Sequence, residues 1–399
     1  MPVCASSSRG SDVRRGIPAL VVHSATKVDA DGAIEDFWLA AADGVILGTG
    51  RGSEWRQHAG EASTVDAGGR RLVPGFIDLH GHGGGGFAFE QGRAAIETAL
   101  RLHRRHGTTR SVLSLVTNPI DELCAGLDLI AGVAASDPLV LGSHLEGPFL
   151  AAGHRGAHNP AFLRPPDDPA IITDLLAAAR GTLRQITLAP ELPGALDAIE
   201  TFREAGVVVA VGHTDATMAE TQAAFDRGAT LLTHAFNGMP GIGHRAPGPV
   251  LAALDDERVT LELIVDGFHV HPDVVRMAMA LAPHRVALIT DAMAAAGAGD
   301  GTYDLGSLTV TVTDGQAWLA DGSSIAGSTL THDRALRVAV EDARVDEVAA
   351  VEALTLTPAR VLGQDDEFGR LAPGFAADLV LLDDALGVER VWAAGVELV

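Results

Sequence analysis

The sequence predicts an α/β protein: a (β/α)8 TIM-like barrel with a small β-sandwich domain built from both chain ends. Three observations predict it. Eight apolar, often β-branched runs recur through the middle of the chain, most of them separated by segments of helical periodicity. Both ends carry short strand-like pieces broken by turn residues. Histidines and carboxylates fall where the apolar runs stop, and a barrel would gather such positions at one face.

Composition narrows the function classes. Of 399 residues, 47% are hydrophobic and 20% charged, enough apolar content for a sizeable core. The formal charge of −23, with no basic run beyond Arg14-Arg15 and Arg104-Arg105, excludes a nucleic-acid partner. The two cysteines, Cys4 and Cys124, make no disulfide framework. No apolar stretch reaches signal-peptide or membrane-span length, so a cytoplasmic protein with no membrane partner is expected. Residues 1–16, rich in Ser, Arg and Gly, read as a disordered tail.

Taken in order, residues 17–72 show strand pieces Ala19 to His23 and Asp36 to Ala40, with turns at Asp31-Gly32 and Asp43-Gly44. Residues 364–399 have the same texture, in Ala377 to Leu382 and Arg390 to Gly395, and the two ends together should make the small β domain. Residues 73–363 hold the barrel, with strands over Phe76 to His80, Arg110 to Val116, Leu139 to Glu146, Gln185 to Ala189, Val207 to His213, Leu231 to Ala235, Leu261 to Asp266 and Val286 to Asp291. Nearly continuous apolar runs such as Val207 to Val211 suit parallel strands covered on both faces. Helices are expected over Arg93 to His106, Pro193 to Ala205 and Thr217 to Arg227, the last with Thr217 and Glu220 as a capping box. A β-hairpin insertion near residues 307–320 turns at Asp314-Gly315. Two helices, Leu330 to Ala343 and Val345 to Leu362, close the region. A doubly wound open sheet is the alternative, but it has little reason to place polar residues at so many strand ends.

Those polar residues carry the functional argument. His80 and His82 close the first strand, with side chains on one face because direction alternates with period two. Glu146 closes the third strand, His213 the fifth and Asp291 the eighth, while His234 lies in the sixth. Each alone has an ordinary structural explanation. Six such groups converging from five strands do not, because burying them without a cation would carry a large desolvation cost. A divalent metal site is therefore expected, with one or two ions; zinc suits the ligands, as do iron, manganese and cobalt. His103 and His106 read as a solvated helix face, His332 follows a loop, and His23, His58 and His284 show no partner. Gly-x-Ser-x-Gly does not occur and the glycines after His82 form neither a Walker loop nor a dinucleotide fingerprint, which leaves metal-assisted hydrolysis.

Beyond these positions, the motifs PGFIDLHGHG, HLEGPF, GAHNP, TLAPE, VGHTDAT, THAFNGM, VDGFHVHP, LITDAM, IAGSTLTHDRA and LAPGFAADLVLLD resemble the amidohydrolase superfamily. Within it they are similar to the N-acetylglucosamine-6-phosphate deacetylase family, from about Val73 to Asp383. The resemblance implies hydrolysis of a phosphorylated amino sugar's acetamide, with Glu146, His213 and His234 holding the principal metal. His80 and His82, which some deacetylases of the family replace, imply a second metal bridged by Glu146. It also implies Asp291 as general base and acid, His158 as the group polarising the acetyl carbonyl, and Asn237, Gly238 and His269 at the phosphate. Arg245 would reach the neighbouring subunit's site in a homodimer. Ala246 and Gly238 depart from the family's usual glutamate and alanine, which bears on substrate preference. Two other readings are a sister amidohydrolase, acting on a related acetylated amino sugar phosphate, N-acyl amino acid or cyclic amide, and a catalytically silent scaffold barrel.

Overall fold

The structure, a computed structural model, describes residues 19–399, so the expected tail over residues 1–16 lies outside the described residues. Eight parallel strands run in sequential order around one sheet: β1 (Phe76–Asp78), β2 (Thr108–Val116), β3 (Val140–Glu146), β4 (Leu183–Leu188), β5 (Val208–Val211), β6 (Leu231–Leu232), β7 (Thr260–Ile264) and β8 (Val286–Ile289). Each is paired in parallel with its chain neighbour. The ring is joined where β1 and β8 end: Asp291 N donates to His80 O at 2.8 Å and His82 N to Ala292 O at 2.7 Å. The Asp78 carboxylate fastens the same seam by accepting the Thr290 hydroxyl at 2.6 Å. Sequential order with joined ends is a barrel and excludes the doubly wound sheet.

The strands form because both faces are covered: every residue of β2 and β3 is buried, including the polar ones. Amphipathic helices supply the outer layer. The helix Arg93–Arg105 buries Ala95, Ile96, Ala99, Leu100 and His103, a stripe at three-to-four spacing. His103 thus corrects the solvated-face reading: it is buried, with Nε2 2.8 Å from Gly83 O. The same stripe was legible in the sequence, since 96, 99, 100 and 103 share one side of a helix. His106 lies 3.1 Å from the Asp333 carboxylate, His332 is buried 3.0 Å from Thr108 Oγ1, and His284 is 2.7 Å from Glu352. All three partners are remote in sequence, so neither the solvated-face reading of His106 nor the partnerless reading of His284 holds.

The expected helix over Thr217 to Arg227 spans Met218–Arg227, and its capping box is present: Glu220 N donates to Thr217 Oγ1 at 3.3 Å and Thr217 N to Glu220 Oε2 at 2.8 Å. The closing helices are broken, the first passing from His332–Arg337 into a wider turn over Val338–Asp342, the second interrupted at Thr355 between Glu347–Leu354 and Leu356–Val361. The insertion gains a third strand, Gly301–Leu305, which pairs with the expected hairpin of Leu308–Thr313 and Gln316–Leu319.

At the chain ends, Leu20–Asp29, Gly32–Ala42, Val45–Arg51, Ser63–Asp66, Arg71–Pro74, Leu379–Leu382, Val388–Ala393 and Val396–Glu397 form one eight-stranded sheet. It packs on its own core of Leu20, Val22, Leu39, Ile46, Leu72, Leu381 and Trp392, and an isolated bridge pairs Val45 with Ala376 ahead of the C-terminal strands. The chain ends thus build one continuous sheet, where the sequence predicts a sandwich. A buried ion pair, Arg110 Nε to Asp378 Oδ2 at 2.6 Å, ties the sheet to β2. Among the described residues no helix is long and apolar enough to cross a membrane.

Candidate active site

The expected ligands do meet at the C-terminal face of the barrel, in two groups: His80, His82 and Asp291, and Glu146, His213 and His234. Only Glu146 lies inside its strand; the others follow theirs by two residues, or four in the case of His82. His234 is the clearest correction. β6 ends at Leu232, and His234 sits in the following turn with φ +26°. His213 and Asp291 also have left-handed backbones, at φ +46° and +47°. Positive φ ends the ladder and turns these side chains into the barrel mouth, at a conformational cost of order 1–3 kcal/mol each.

Glu146 stands between the two groups. Its Oε1 is 3.0 Å from both His213 Nε2 and His234 Nε2, and its Oε2 is 3.2 Å from His82 Nε2. His82 Nε2 is in turn 3.2 Å from Asp291 Oδ1. The imidazole nitrogens crowd one another, with His80 and His82 Nε2 3.1 Å apart and His213 and His234 Nε2 3.0 Å apart. Nitrogen lone pairs and carboxylate oxygens converging in this way fit one or two divalent cations, since a cation satisfies all of them at once.

Charge follows the same geometry. Burial alone would lower the His80 and His82 pKa values, but Glu146 and Asp291 outweigh it: His80 lies well above 6.5 and His82 is raised to about 9. Burial likewise opposes the Glu146 charge, yet His80 and the hydrogen bonds from His158, His213 and His234 hold its carboxyl well below the usual range. Asp291 is lowered mainly by His80 against its own burial. In protein without metal, protons on His80 and His82 therefore supply the positive charge that the carboxylates demand.

His158 reaches this centre from a loop, its Nε2 3.3 Å from Glu146 Oε2. Its Nδ1 accepts the Thr117 backbone N–H at 3.3 Å, so the ring proton belongs on Nε2. Burial pushes its pKa down to about 4, which keeps the ring neutral. His269 differs. Asp266 Oδ2 lies 2.7 Å from its Nδ1 and raises its pKa against burial, so it leans toward the cation.

His158, Asn237, Gly238 and His269 line one pocket of about 220 Å³ with His82, Glu146, His213, His234 and Asp291. His80 lies beneath it, fully buried. Gly238 has φ +59°, and a Cβ there would meet His213 Nδ1 at 2.9 Å, so only glycine allows this approach without a shift. Arg245 is the exception among the expected residues: it is exposed and does not line the pocket of its own chain.

Sequence reasoning missed the polar layer beneath the ligands. Glu262, fully buried in β7, places Oε2 3.2 Å from His80 Nδ1 and accepts Gln185 Nε2 on Oε1 at 2.8 Å. It thereby fixes the His80 tautomer with Nε2 free for a ligand bond. His144 bridges Ser114 and Thr187 at 2.9 Å on each side and is held neutral by burial and by the charge of His80. A signal existed: Glu262 and His144 stand two residues before Ile264 and Glu146, which line the pocket, so period two puts them on the inward face.

The fold and the site together define a hydrolase of the amidohydrolase type, and the chain belongs to the amidohydrolase family, whose pattern it matches over residues 71–398. Its relatives sharpen that assignment. It is 39% identical over 382 residues to an N-acetylgalactosamine-6-phosphate deacetylase of Escherichia coli O157:H7, covering 94% of this chain and 98% of the relative. It is 36% identical over 345 residues to the N-acetylglucosamine-6-phosphate deacetylase of Bos taurus, covering 83% and 84%. A mutant N-acetyl-D-glucosamine-6-phosphate deacetylase from Mycobacterium smegmatis, solved in complex with N-acetyl-D-glucosamine-6-phosphate, superposes with a TM-score of 0.90 at 41% identity, covering 95% of this chain and 99% of that one.

Proposed function

We propose that the protein is a metal-dependent deacetylase that converts N-acetylglucosamine 6-phosphate to glucosamine 6-phosphate and acetate. The observation that carries the reading is one pocket that joins the Glu146 ligand cluster and Asp291 to Asn237, Gly238 and His269. A bound divalent cation, zinc in this reading, would polarise the acetyl carbonyl and lower the pKa of a water toward about 7. Glu146, His213 and His234 would hold the principal ion and His80, His82 and Asp291 a second, with Glu146 between them.

The chain's own groups do the rest. Asp291, kept ionised by its neighbours, takes a proton from the attacking water and returns it to the departing amine. Neutral His158 donates from Nε2 to the oxygen on which charge develops, as an uncharged imidazole does elsewhere when burial depresses its pKa. At the other end, the His269 imidazole, held by Asp266, and the peptide around Asn237 and Gly238 meet the phosphate. Arg245, exposed on its own chain, completes the phosphate site of a partner copy, so the reading includes a homodimer. A phosphate dianion does not cross a hydrocarbon bilayer unaided, and the enzyme is accordingly placed in the cytoplasm.

A second reading keeps the chemistry and changes the sugar. The E. coli relative is named for the galactose epimer, which differs in configuration at one carbon, so N-acetylgalactosamine 6-phosphate is the competing substrate. Acetate release should be measured on both phosphorylated epimers and on unphosphorylated N-acetylglucosamine, alongside elemental analysis of the purified protein. Comparable rates with and without phosphate, or activity indifferent to chelation, would sink the reading.

A further inference from the structure

An acidic chain that takes a phosphorylated substrate has to bring cations to it locally, because its overall field repels anions. Beside the active-site pocket lies a second concavity whose lining includes His154, Arg155, Gly156, Gly238, Ser323 and Ser324. Gly156, Gly238 and Ser324 also line the active-site pocket, so the two spaces share a wall.

The two basic side chains in that lining are not equivalent. His154 is engaged, its Nε2 2.8 Å from Asp215 and its carbonyl oxygen 2.8 Å from His213 Nδ1. Arg155 is half-buried, and among the described residues it makes no ion pair and its Nε, shut away from solvent, has no hydrogen-bond partner. A guanidinium N–H buried without an acceptor is costly and rare, and it leaves this cation uncommitted within the chain. The nearby acid does not supply one: Asp321 spends its Oδ1 on the Ser323 amide at 2.9 Å and the Ser323 hydroxyl at 2.6 Å. The Ser323 and Ser324 hydroxyls are engaged within the chain, on Asp321 Oδ1 and Ile325 O, so the uncommitted donor of the concavity is the planar Arg155 fork, a group matched to phosphate.

We infer that Arg155 is a phosphate-recognition residue supplied by the same chain, gripping the 6-phosphate across the wall formed by Gly156, Gly238 and Ser324. The inference rests on the reading of the substrate as an amino sugar 6-phosphate. It adds to that reading an arginine that needs no partner subunit and that discriminates by phosphate, not by the configuration of the sugar ring.

The test uses the metal-loaded full-length enzyme, with Arg155→Met and Arg155→Lys. The ratio of kcat/KM for N-acetylglucosamine 6-phosphate over unphosphorylated N-acetylglucosamine should fall about 10- to 100-fold in Arg155→Met, mainly through KM, as expected for loss of a charge-assisted hydrogen bond. Inhibition by inorganic phosphate should weaken by a similar factor. Arg155→Lys keeps the charge without the fork and should give an intermediate ratio; it decides the matter alone if the methionine variant does not fold. A ratio within about twofold of wild type, or equal losses on both sugars, would overturn the assignment of Arg155. Failure of the parent reading looks different: the wild-type enzyme itself would then show no preference for the phosphorylated sugar.

Discussion

His213, His234 and Asp291 show how single residues make this site, since each spends backbone strain at positive φ to aim a ligand inward from the end of its strand. Asp291 carries the proton traffic in the proposed reaction. Asp291→Asn keeps a similar shape and removes the base, so turnover in the acetate assay should fall about 10²- to 10⁴-fold while elemental analysis still finds the metal held by Glu146, His213 and His234. Near-normal turnover would remove Asp291 from that role. Glu262 acts one layer down, through His80 Nδ1. Glu262→Gln should lower metal affinity about 10- to 100-fold in a competition titration with a chelator, leaving the fold intact by circular dichroism. Unaltered affinity would mean that the carboxylate only fills the barrel.

The ligand histidines also set a pH dependence. In metal-free protein His82 is raised from 6.5 to about 9, against burial, by Asp291 and Glu146. A pKa raised on folding contributes stability that is whole below the unfolded value and is lost as pH rises through the folded one. The melting temperature of metal-free protein should thus fall between about pH 6.5 and 9 more steeply than that of metal-loaded protein, which has exchanged those protons for a cation. Glu146 and Asp291, lowered on folding, contribute in the opposite sense, and their share is lost as pH falls through their depressed values. The same linkage requires metal binding near neutral pH to release about one or two protons, read by calorimetry in buffers of different ionisation heat.

At the scale of elements, strands place the ligands and the turns after them choose their directions. The helix Met218–Arg227 follows the turn that carries His213 and is anchored by Thr217. Thr217→Ala removes the acceptor for Glu220 N and should cost about 1 kcal/mol in denaturant unfolding, with little effect on chemistry. Gly238 lies in the turn after β6. Its left-handed φ and the closeness of His213 predict that Gly238→Ala loses about 1–2 kcal/mol of stability by the same measurement. A neutral or stabilising result would show that the His213 turn relaxes around the added methyl group.

At the scale of the whole molecule, the barrel gathers residues from seven stretches of sequence while the end-built sheet grips β2 through Arg110 and Asp378. The proposed homodimer can be tested through its shared site. Arg245→Ala and Asp291→Asn homodimers should each be impaired. Exchanging their subunits should restore activity, because one site of the mixed dimer would combine an intact Asp291 with the partner's Arg245. No recovery after demonstrated exchange would confine Arg245 to its own chain.

The barrel and the gathering of six candidate ligands at one face were legible in the sequence, because strand periodicity and the placement of His80, His82, Glu146, His213, His234 and Asp291 are local properties of the chain. Tertiary structure alone decided the rest. Glu262 and His144 became site residues only when β3, β4 and β7 faced one another across the barrel, and His332 and His284 found partners remote in sequence. The sixth strand stopped short of His234 because a left-handed turn, not an apolar run, sets where the ladder ends. Burial, backbone strain and the meeting of distant charges depend on distances that pattern and spacing do not encode, so the chemistry of the ligands was legible and their tuning was not.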